Sequence, residues 1–105
     1  MGNREREEAP EMQVRWLSPA ILDLVALRKY IEEDNPAAAA SVAKRILTEI
    51  ELLKDYPGMG KHGRVEGTRE LVSSGLPYII AYRVKNNAIE ILRVLHGSMK
   101  WPERF

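Results

Sequence analysis

Two β-rich runs near the C-terminus constrain the fold of this 105-residue chain more than any other feature. The runs at 77–84 (PYIIAYRV) and 88–96 (AIEILRVLH) are separated only by Lys85, Asn86 and Asn87. Asparagine tolerates the positive φ angles that a two-residue hairpin turn requires. The pattern therefore predicts an antiparallel hairpin with its turn at the two asparagines.

That turn predicts which side chains share a face of the sheet. It pairs Ile80 with Arg93, and alternate residues then point the same way. One predicted face carries Tyr78, Ile80, Tyr82, Val84, Ile89, Ile91, Arg93 and Leu95. The other carries Ile79, Ala81, Arg83, Glu90, Leu92, Val94 and His96. The first face is the more apolar and is expected to meet the helices. Arg93 on that face is costly unless it lies near an edge or pairs with a carboxylate such as Asp23 or Glu32, and His96 lies on the open face.

Two helices are predicted upstream of the hairpin. Residues 36–55 are rich in helix formers and end before the Pro-Gly pair at 57–58. Their apolar stripe comprises Ala39, Val42, Ala43, Ile46, Ile50 and Leu53. A preceding helix at about 18–34 begins with Ser18 as the predicted N-cap, and Asn35 caps the second helix in the same way. The predicted stripe of the first helix is Ile21, Leu24, Val25, Arg28 and Ile31, widened by Leu27 and Tyr30.

The remaining segments complete an α+β fold. Residues 12–17 alternate apolar and polar side chains, and 69–73 form a second short β-type run. The predicted order is β-α-α-β-β-β, with the two N-terminal helices packed on one face of a small antiparallel sheet. Residues 12–105 form a single domain by length, and the polar segment 1–11 is predicted to be a disordered extension.

Composition excludes several classes of site. The chain has no cysteine, so disulfides and thiolate metal sites are absent and a reducing cytoplasm is the expected location. No apolar run approaches the roughly 18 residues that a membrane span needs. Two histidines 34 residues apart, with no acidic residues at ligand spacing, predict no metal site. A net charge of +1 does not indicate nucleic-acid binding by itself.

Six segments in a fixed order resemble the RelE/ParE superfamily of toxins from type II toxin–antitoxin modules. They are LSPAILDL, EEDNPAAA, PGMGKHGR, TRELV, YIIAYRV and ILRVLHGSMKWP. The resemblance spans about residues 13–102, which is nearly all of the predicted domain. It implies a small growth-inhibiting toxin without a cofactor, held by a cognate antitoxin that wraps it and blocks its action.

The resemblance allows two activities of different classes. RelE-like toxins cut mRNA in the ribosomal A site without a metal, with the ribosome and mRNA as partners. ParE-like toxins inhibit DNA gyrase by binding and cut nothing. Our first interpretation is the metal-independent, ribosome-dependent mRNA endonuclease, and the alternative is the non-enzymatic gyrase inhibitor. A third interpretation is a decayed toxin that persists as an antitoxin-bound autorepressor partner. A shared fold does not decide between them, so the site must.

Arg69 and His96 are the candidate catalytic residues. Metal-free RNA cleavage needs a base, an acid and cations that stabilise the charged transition state. His96 matches the end of the final strand, where some ribosome-dependent relatives carry a catalytic histidine. Arg69 matches a basic strand position that contacts the RNA backbone in RelE-like toxins. The alternatives are a histidine that only ends its strand, and an arginine paired with Glu66 or Glu70.

Four further cations are candidates for binding RNA or another target: Lys61, Arg64, Arg83 and Lys100. Each could equally be a solvated charge. Trp101 could stack on a base, although packing of the C-terminal segment against the sheet is the favoured interpretation.

The sequence also departs from the nuclease pattern. RelE-like enzymes carry an arginine in a Tyr-Arg step of the third strand, where this chain has Tyr78 and Ile79. The corresponding face is mostly apolar, with Ile79, Ala81, Leu92 and Val94. Such a surface suits an antitoxin segment or a protein target better than an RNA backbone.

Overall fold

The computed structural model describes residues 12–105, in which two helices pack on one face of a five-stranded sheet. The elements are β1 (Gln13–Trp16), α1 (Ser18–Asp34), α2 (Pro36–Leu52), β2 (Lys61–His62), β3 (Arg69–Val72), β4 (Tyr78–Lys85) and β5 (Ala88–His96). The strand order is β1-β5-β4-β3-β2. The α+β architecture with an N-terminal helical hairpin is therefore confirmed. The predicted extension at 1–11 lies outside the described residues.

Two details of the sheet differ from the sequence prediction. β1 runs parallel to β5, pairing Gln13 with Ala88 and Trp16 with Ile91, so the sheet is mostly but not wholly antiparallel. The helices between these strands supply the long crossover that a parallel pair needs. β2, with only two residues, was predicted as irregular chain because so short a strand has no alternation to detect.

The helices differ in how well their buried faces were predicted. α2 buries Ala39, Ala43, Ile46 and Ile50, as predicted, and Asn35 Oδ1 accepts a hydrogen bond from the Ala38 N–H at 3.0 Å. α1 buries Ala20 and Leu27, with Leu24 and Ile31 packed beside them, so part of its predicted stripe faces the core. The predicted stripe residues Ile21, Val25 and Tyr30 are exposed. Because α1 has apolar residues all around, periodicity alone could not select the buried side. The prediction of Ser18 as the N-cap is also wrong, because Leu17 occupies the cap position and no side chain caps the helix.

The hairpin forms at the predicted turn, but its register shifts part-way along. Asn86 and Asn87 have φ angles of 52° and 58°, and Val84 pairs with Ile89 as predicted. A β-bulge then inserts Leu92, so that Arg93 pairs with Ala81 instead of Ile80. The insertion reverses the face of every later residue in β5.

No helix within residues 12–105 is both long enough and apolar enough to cross a membrane.

Candidate functional site

Arg69, a predicted catalytic residue, holds the loop between α2 and β2. Its pairing with Tyr82 places it on the helix side of the sheet. Arg69 Nη1 donates to the carbonyl of Gly60 at 2.7 Å and to that of Gly58 at 3.4 Å. The Tyr82 hydroxyl accepts a hydrogen bond from the Gly60 N–H and donates one to the carbonyl of Pro57, each at 2.8 Å. Burial raises the pKa of Tyr82 above its ordinary value of 10.0, which keeps the hydroxyl protonated.

Glu70 pairs with Arg64, so neither acidic partner suggested for Arg69 is used. Arg64 Nε and Nη2 donate to the two carboxylate oxygens at 3.0 Å each, and its backbone N–H donates at 2.8 Å. Glu70 itself is only 3% exposed. Burial would raise the pKa of Glu70, but the hydrogen bonds from Arg64 outweigh it and hold the pKa below its ordinary value of 4.5.

The stability of the fold should therefore depend on pH through Glu70. A lowered folded-state pKa means that the ion pair stabilises the fold above the unfolded-state pKa, and that this contribution is lost as pH falls through the folded-state value. We expect the free energy of unfolding, measured in urea, to decrease between about pH 5 and about pH 3. The Glu70→Gln variant should show a shallower dependence. An identical pH profile for the two proteins would contradict this role.

His96 lies on the helix side of the sheet, not on the open face that the sequence predicted. The bulge at Leu92 is the reason, because it places His96 opposite Tyr78. The two rings meet edge to face with centroids 5.6 Å apart. His96 Nδ1 lies 2.8 Å from the Ser98 hydroxyl and accepts a hydrogen bond from the Ser98 N–H at 3.1 Å. A pocket of about 340 Å³ adjoins the ring and is also lined by Tyr30.

The two predicted catalytic residues lie at opposite ends of the sheet. Arg69 is on β3 opposite Tyr82, whereas His96 is on β5 opposite Tyr78. The pairings separate them by four residues along β4 and by two strand spacings across it, which is about 16 Å between Cα atoms. The structure does not bring them to one reacting phosphate.

The four predicted binding cations are also dispersed. Arg83 Nε donates to Glu90 Oε1 at 2.6 Å, and this pair lies near the hairpin turn. Lys61 is exposed on β2, where it pairs with Glu70 next to Arg64. Lys100 is exposed in the C-terminal segment. Lys61 and Arg64 share a neighbourhood, and Lys100 directly precedes Trp101, whose ring lies over Arg64. The centre of this neighbourhood is a buried carboxylate rather than an open phosphate-sized site.

Arg93 pairs with Asp23, one of the two carboxylates predicted for it, although the bulge places Arg93 opposite Ala81 and not on the predicted helix-side face. Its Nε and Nη2 donate to the Asp23 carboxylate at 2.7 and 2.9 Å, and the Val94 N–H donates to the same group at 2.9 Å. The hydrogen bonds that Arg93 donates to Asp23 raise the pKa of Arg93 above its ordinary value. The pair joins α1 to the part of β5 that extends beyond β1, which identifies Arg93 as a structural residue.

The apolar residues on the sheet face opposite the helices are mostly buried. The predicted set needs one correction, because Val94 belongs to the helix-side core and Leu95 takes its place beside Ile79. Leu92 and Leu95 are 2% and 1% exposed, although no helix lies on this side. In the C-terminal segment, a Cβ at Gly97 would lie 3.7 Å from Ile79 Cδ1, and the centre of the Trp101 ring lies 3.9 Å from the Arg64 guanidinium carbon. Packing is thus the observed role of Trp101.

Several contacts of this region were not predicted from the sequence. They are the pairing of Glu70 with Arg64, the ring contact of Tyr78 with His96, and the loop contacts of Tyr82. A charged residue within the short run RELV was the one available signal, because a buried carboxylate requires a cationic partner. Within residues 12–105, no three histidine or acidic side chains are grouped closely enough to bind a metal ion.

Comparison with known proteins identifies the family. The family model described as the ParE toxin of the type II toxin–antitoxin system parDE matches residues 14–101. The chain belongs to the ParE toxin family. It is 44% identical over 91 residues to the candidate toxin Y4kP of Sinorhizobium fredii, covering 87% of this chain and 94% of that protein. It is 37% identical over 86 residues to the toxin RelE2 of Caulobacter vibrioides, covering 82% and 96% of the two chains.

Solved structures show the same fold. A chain of the chromosomal ParDE toxin–antitoxin system of P. aeruginosa aligns with a TM-score of 0.76 at 27% identity, covering 82% of this ParE-family chain and 96% of its own. A chain of the RelBE2 toxin–antitoxin complex of Mycobacterium tuberculosis aligns with a TM-score of 0.55 at 27% identity, covering 83% and 99%. The ParE-family protein is thus a type II toxin with the fold that the resemblance implied.

Proposed function

We propose that this toxin is held inactive by a cognate antitoxin and, when free, stops growth by binding DNA gyrase without cutting RNA. The observation that carries the proposal is the separation of the predicted catalytic residues, Arg69 and His96, by about 16 Å. The bound antitoxin is proposed because the structural relatives are a ParDE system and a RelBE2 toxin–antitoxin complex.

The arginines support a structural rather than a catalytic role. Cleavage of RNA needs cations free to bind phosphate near an acid and a base. Here the four arginines on or beside the sheet strands β2 to β5 already bind carboxylates or loop carbonyls: Arg64, Arg69, Arg83 and Arg93. Using them on RNA would break contacts that organise the fold.

An exposed apolar surface on α1 supports binding to a protein. Ile21, Leu22 and Val25 are 47%, 67% and 53% exposed, and they lie within about one helical turn of each other. A contiguous apolar patch on a surface helix suits a contact with a protein better than a contact with a phosphate backbone. This surface, comprising Ile21, Leu22 and Val25, is our candidate contact with gyrase.

Ribosome-dependent mRNA cleavage is the second candidate, and one observation favours it. His96 is exposed beside the pocket that contains Tyr30 and Tyr78, so a histidine and two phenol groups could meet a substrate there. In this arrangement His96 would act as the base or acid without help from Arg69.

Substitutions at two exposed residues distinguish between these two functions. We expect His96→Ala to retain full growth inhibition after brief induction, and Val25→Glu to weaken inhibition of DNA supercoiling by purified gyrase by roughly tenfold. Circular dichroism of both variants controls for folding. Mapping the 5′ ends of cellular mRNA should show intact transcripts. In-frame cuts within translated codons that disappear in His96→Ala would contradict the gyrase proposal and establish the second candidate.

A further inference from the structure

A groove of about 350 Å³ lies between α1 and α2 and combines apolar surface with two cations. Ala40, Ala43 and Leu47 of α2 form its apolar part, and Leu47 is 43% exposed. Arg28, which interrupts the predicted apolar stripe of α1, lines the groove from one helix, and Lys44 lines it from the other. The two helices thus bring two positive charges to one apolar groove.

Neither cation of the groove is neutralised by the described part of the protein. Within residues 12–105, the side chains of Arg28 and Lys44 form no hydrogen bond and no ion pair. Glu51 is the acidic residue that lines the groove, but its carboxylate binds Lys54 at 3.0 Å instead. The groove therefore presents positive charge to whatever enters it.

The arginines on or beside strands β2 to β5 differ from this pair. Those four side chains already bind carboxylates or loop carbonyls, so an external anion would have to displace a contact of the fold. Arg28 and Lys44 are exposed and carry no such contact. They can bind an external anion without breaking any bond within the domain.

The groove adjoins the candidate contact with gyrase on α1. Arg28 follows Val25 by three residues, and residues at that spacing are neighbours on a helix surface. The exposed apolar surface of α1 and the apolar part of the groove therefore lie on either side of Arg28. A phosphate backbone has no apolar group to place there, whereas a protein segment can supply an apolar side chain together with a carboxylate.

We propose that the groove binds an acidic segment of the protein target. An apolar side chain of that segment would lie against Ala40, Ala43 and Leu47, and its carboxylates would bind Arg28 and Lys44. Arginine can bind a carboxylate through two parallel hydrogen bonds, and lysine adds a compact charge beside it. The inference rests on the proposed action on gyrase and gives the chemistry of the gyrase segment that the toxin recognises.

Charge reversal in the groove of the full-length toxin tests this inference. In binding measurements with purified gyrase and no DNA, we expect Arg28→Glu and Lys44→Glu each to weaken the affinity roughly tenfold at about 0.1 M salt. The affinity of the parent protein should decrease as salt is added, and that of the double variant should change less. Because neither cation has a partner in the domain, the melting temperatures should stay close to that of the parent.

Arg104→Glu is the matched control for charge. It makes the same change at an exposed arginine that does not line the groove, and the affinity should stay within about twofold of the parent value. If both reversals in the groove behave like Arg104→Glu while Val25→Glu weakens binding, the toxin binds gyrase through its apolar surface and the acidic segment is wrong.

Two further outcomes would also overturn the inference. If the reversals weaken binding only when DNA is added, the groove recognises a phosphate backbone rather than a carboxylate-bearing protein segment. If the parent toxin does not bind gyrase at all, the proposed function and this inference fail together. Loss of affinity in both groove variants without DNA, with Arg104→Glu unchanged, supports the acidic segment.

Discussion

Replacing Asp23 with alanine is expected to lower the free energy of unfolding by about 2–4 kcal/mol. The carboxylate accepts two hydrogen bonds from Arg93 and one from the Val94 N–H. Its loss leaves a largely buried guanidinium and a backbone donor without partners. For a domain of this size the melting temperature should fall by roughly 10–20 °C, measured by calorimetry or circular dichroism.

Two controls test whether the charge and the position both matter. Asp23→Asn keeps an acceptor for Val94 and should cost less than the alanine variant. Glu32→Ala removes the other carboxylate that the sequence offered as a partner for Arg93; it is exposed, and its loss should change stability by no more than about 0.5 kcal/mol. Equal effects of Asp23→Ala and Glu32→Ala would show that the Asp23 pair does not stabilise the fold.

Gly60→Ala is the second large expected effect. A Cβ at Gly60 would lie 2.7 Å from Tyr82 Cε1 and from its hydroxyl, and 2.9 Å from the Glu70 carbonyl. Tyr82 is fully buried and its hydroxyl binds both sides of the loop, so it cannot move aside without losing those bonds. We expect a loss of about 2–3 kcal/mol in urea unfolding, with displacement of the carbonyl that Arg69 binds.

A glycine two residues away provides the matched control. At Gly58 an added Cβ would meet nothing within 4 Å, so Gly58→Ala should be close to neutral. The same loop and the same substitution then differ only in the space around the methyl group. If both variants unfold at the same urea concentration, the close approach of Tyr82 to the loop is not a constraint on stability.

Local signals in the sequence predicted the parts of the fold that depend on neighbouring residues. The Asn86-Asn87 pair was enough to predict the hairpin turn. The buried side of α2 was predictable because its larger apolar residues lie mainly on one side of the helix. The buried side of α1 depended on what packs against it. Because α1 carries apolar side chains all around, its packing against β5 and α2 determines which side is buried.

The candidate site was less predictable because it depends on partners that are distant in the chain. Asp23, 70 residues away, was one of two carboxylates suggested for Arg93, because the predicted register put Arg93 on the helix side. The bulge changes that register, yet the pair forms where β5 extends beyond β1. The sequence contains no such constraint for Arg64 and Arg69. In the structure, Arg64 binds Glu70 and Arg69 binds loop carbonyls. Spacing along the chain identifies cations but does not show which of them are already neutralised.

The bulge at Leu92 means that related toxins with identical aligned residues can still place those residues on different faces of the sheet. One additional residue in β5 inverts the parity of the strand, so His96 packs against Tyr78 on the helix side. In a relative with the same closing motif and an unbroken strand, that histidine would lie on the opposite face of the sheet. When a functional role is inferred from a relative in this family, the first comparison should be which face of the strand each residue lies on. Residue identity should be compared second.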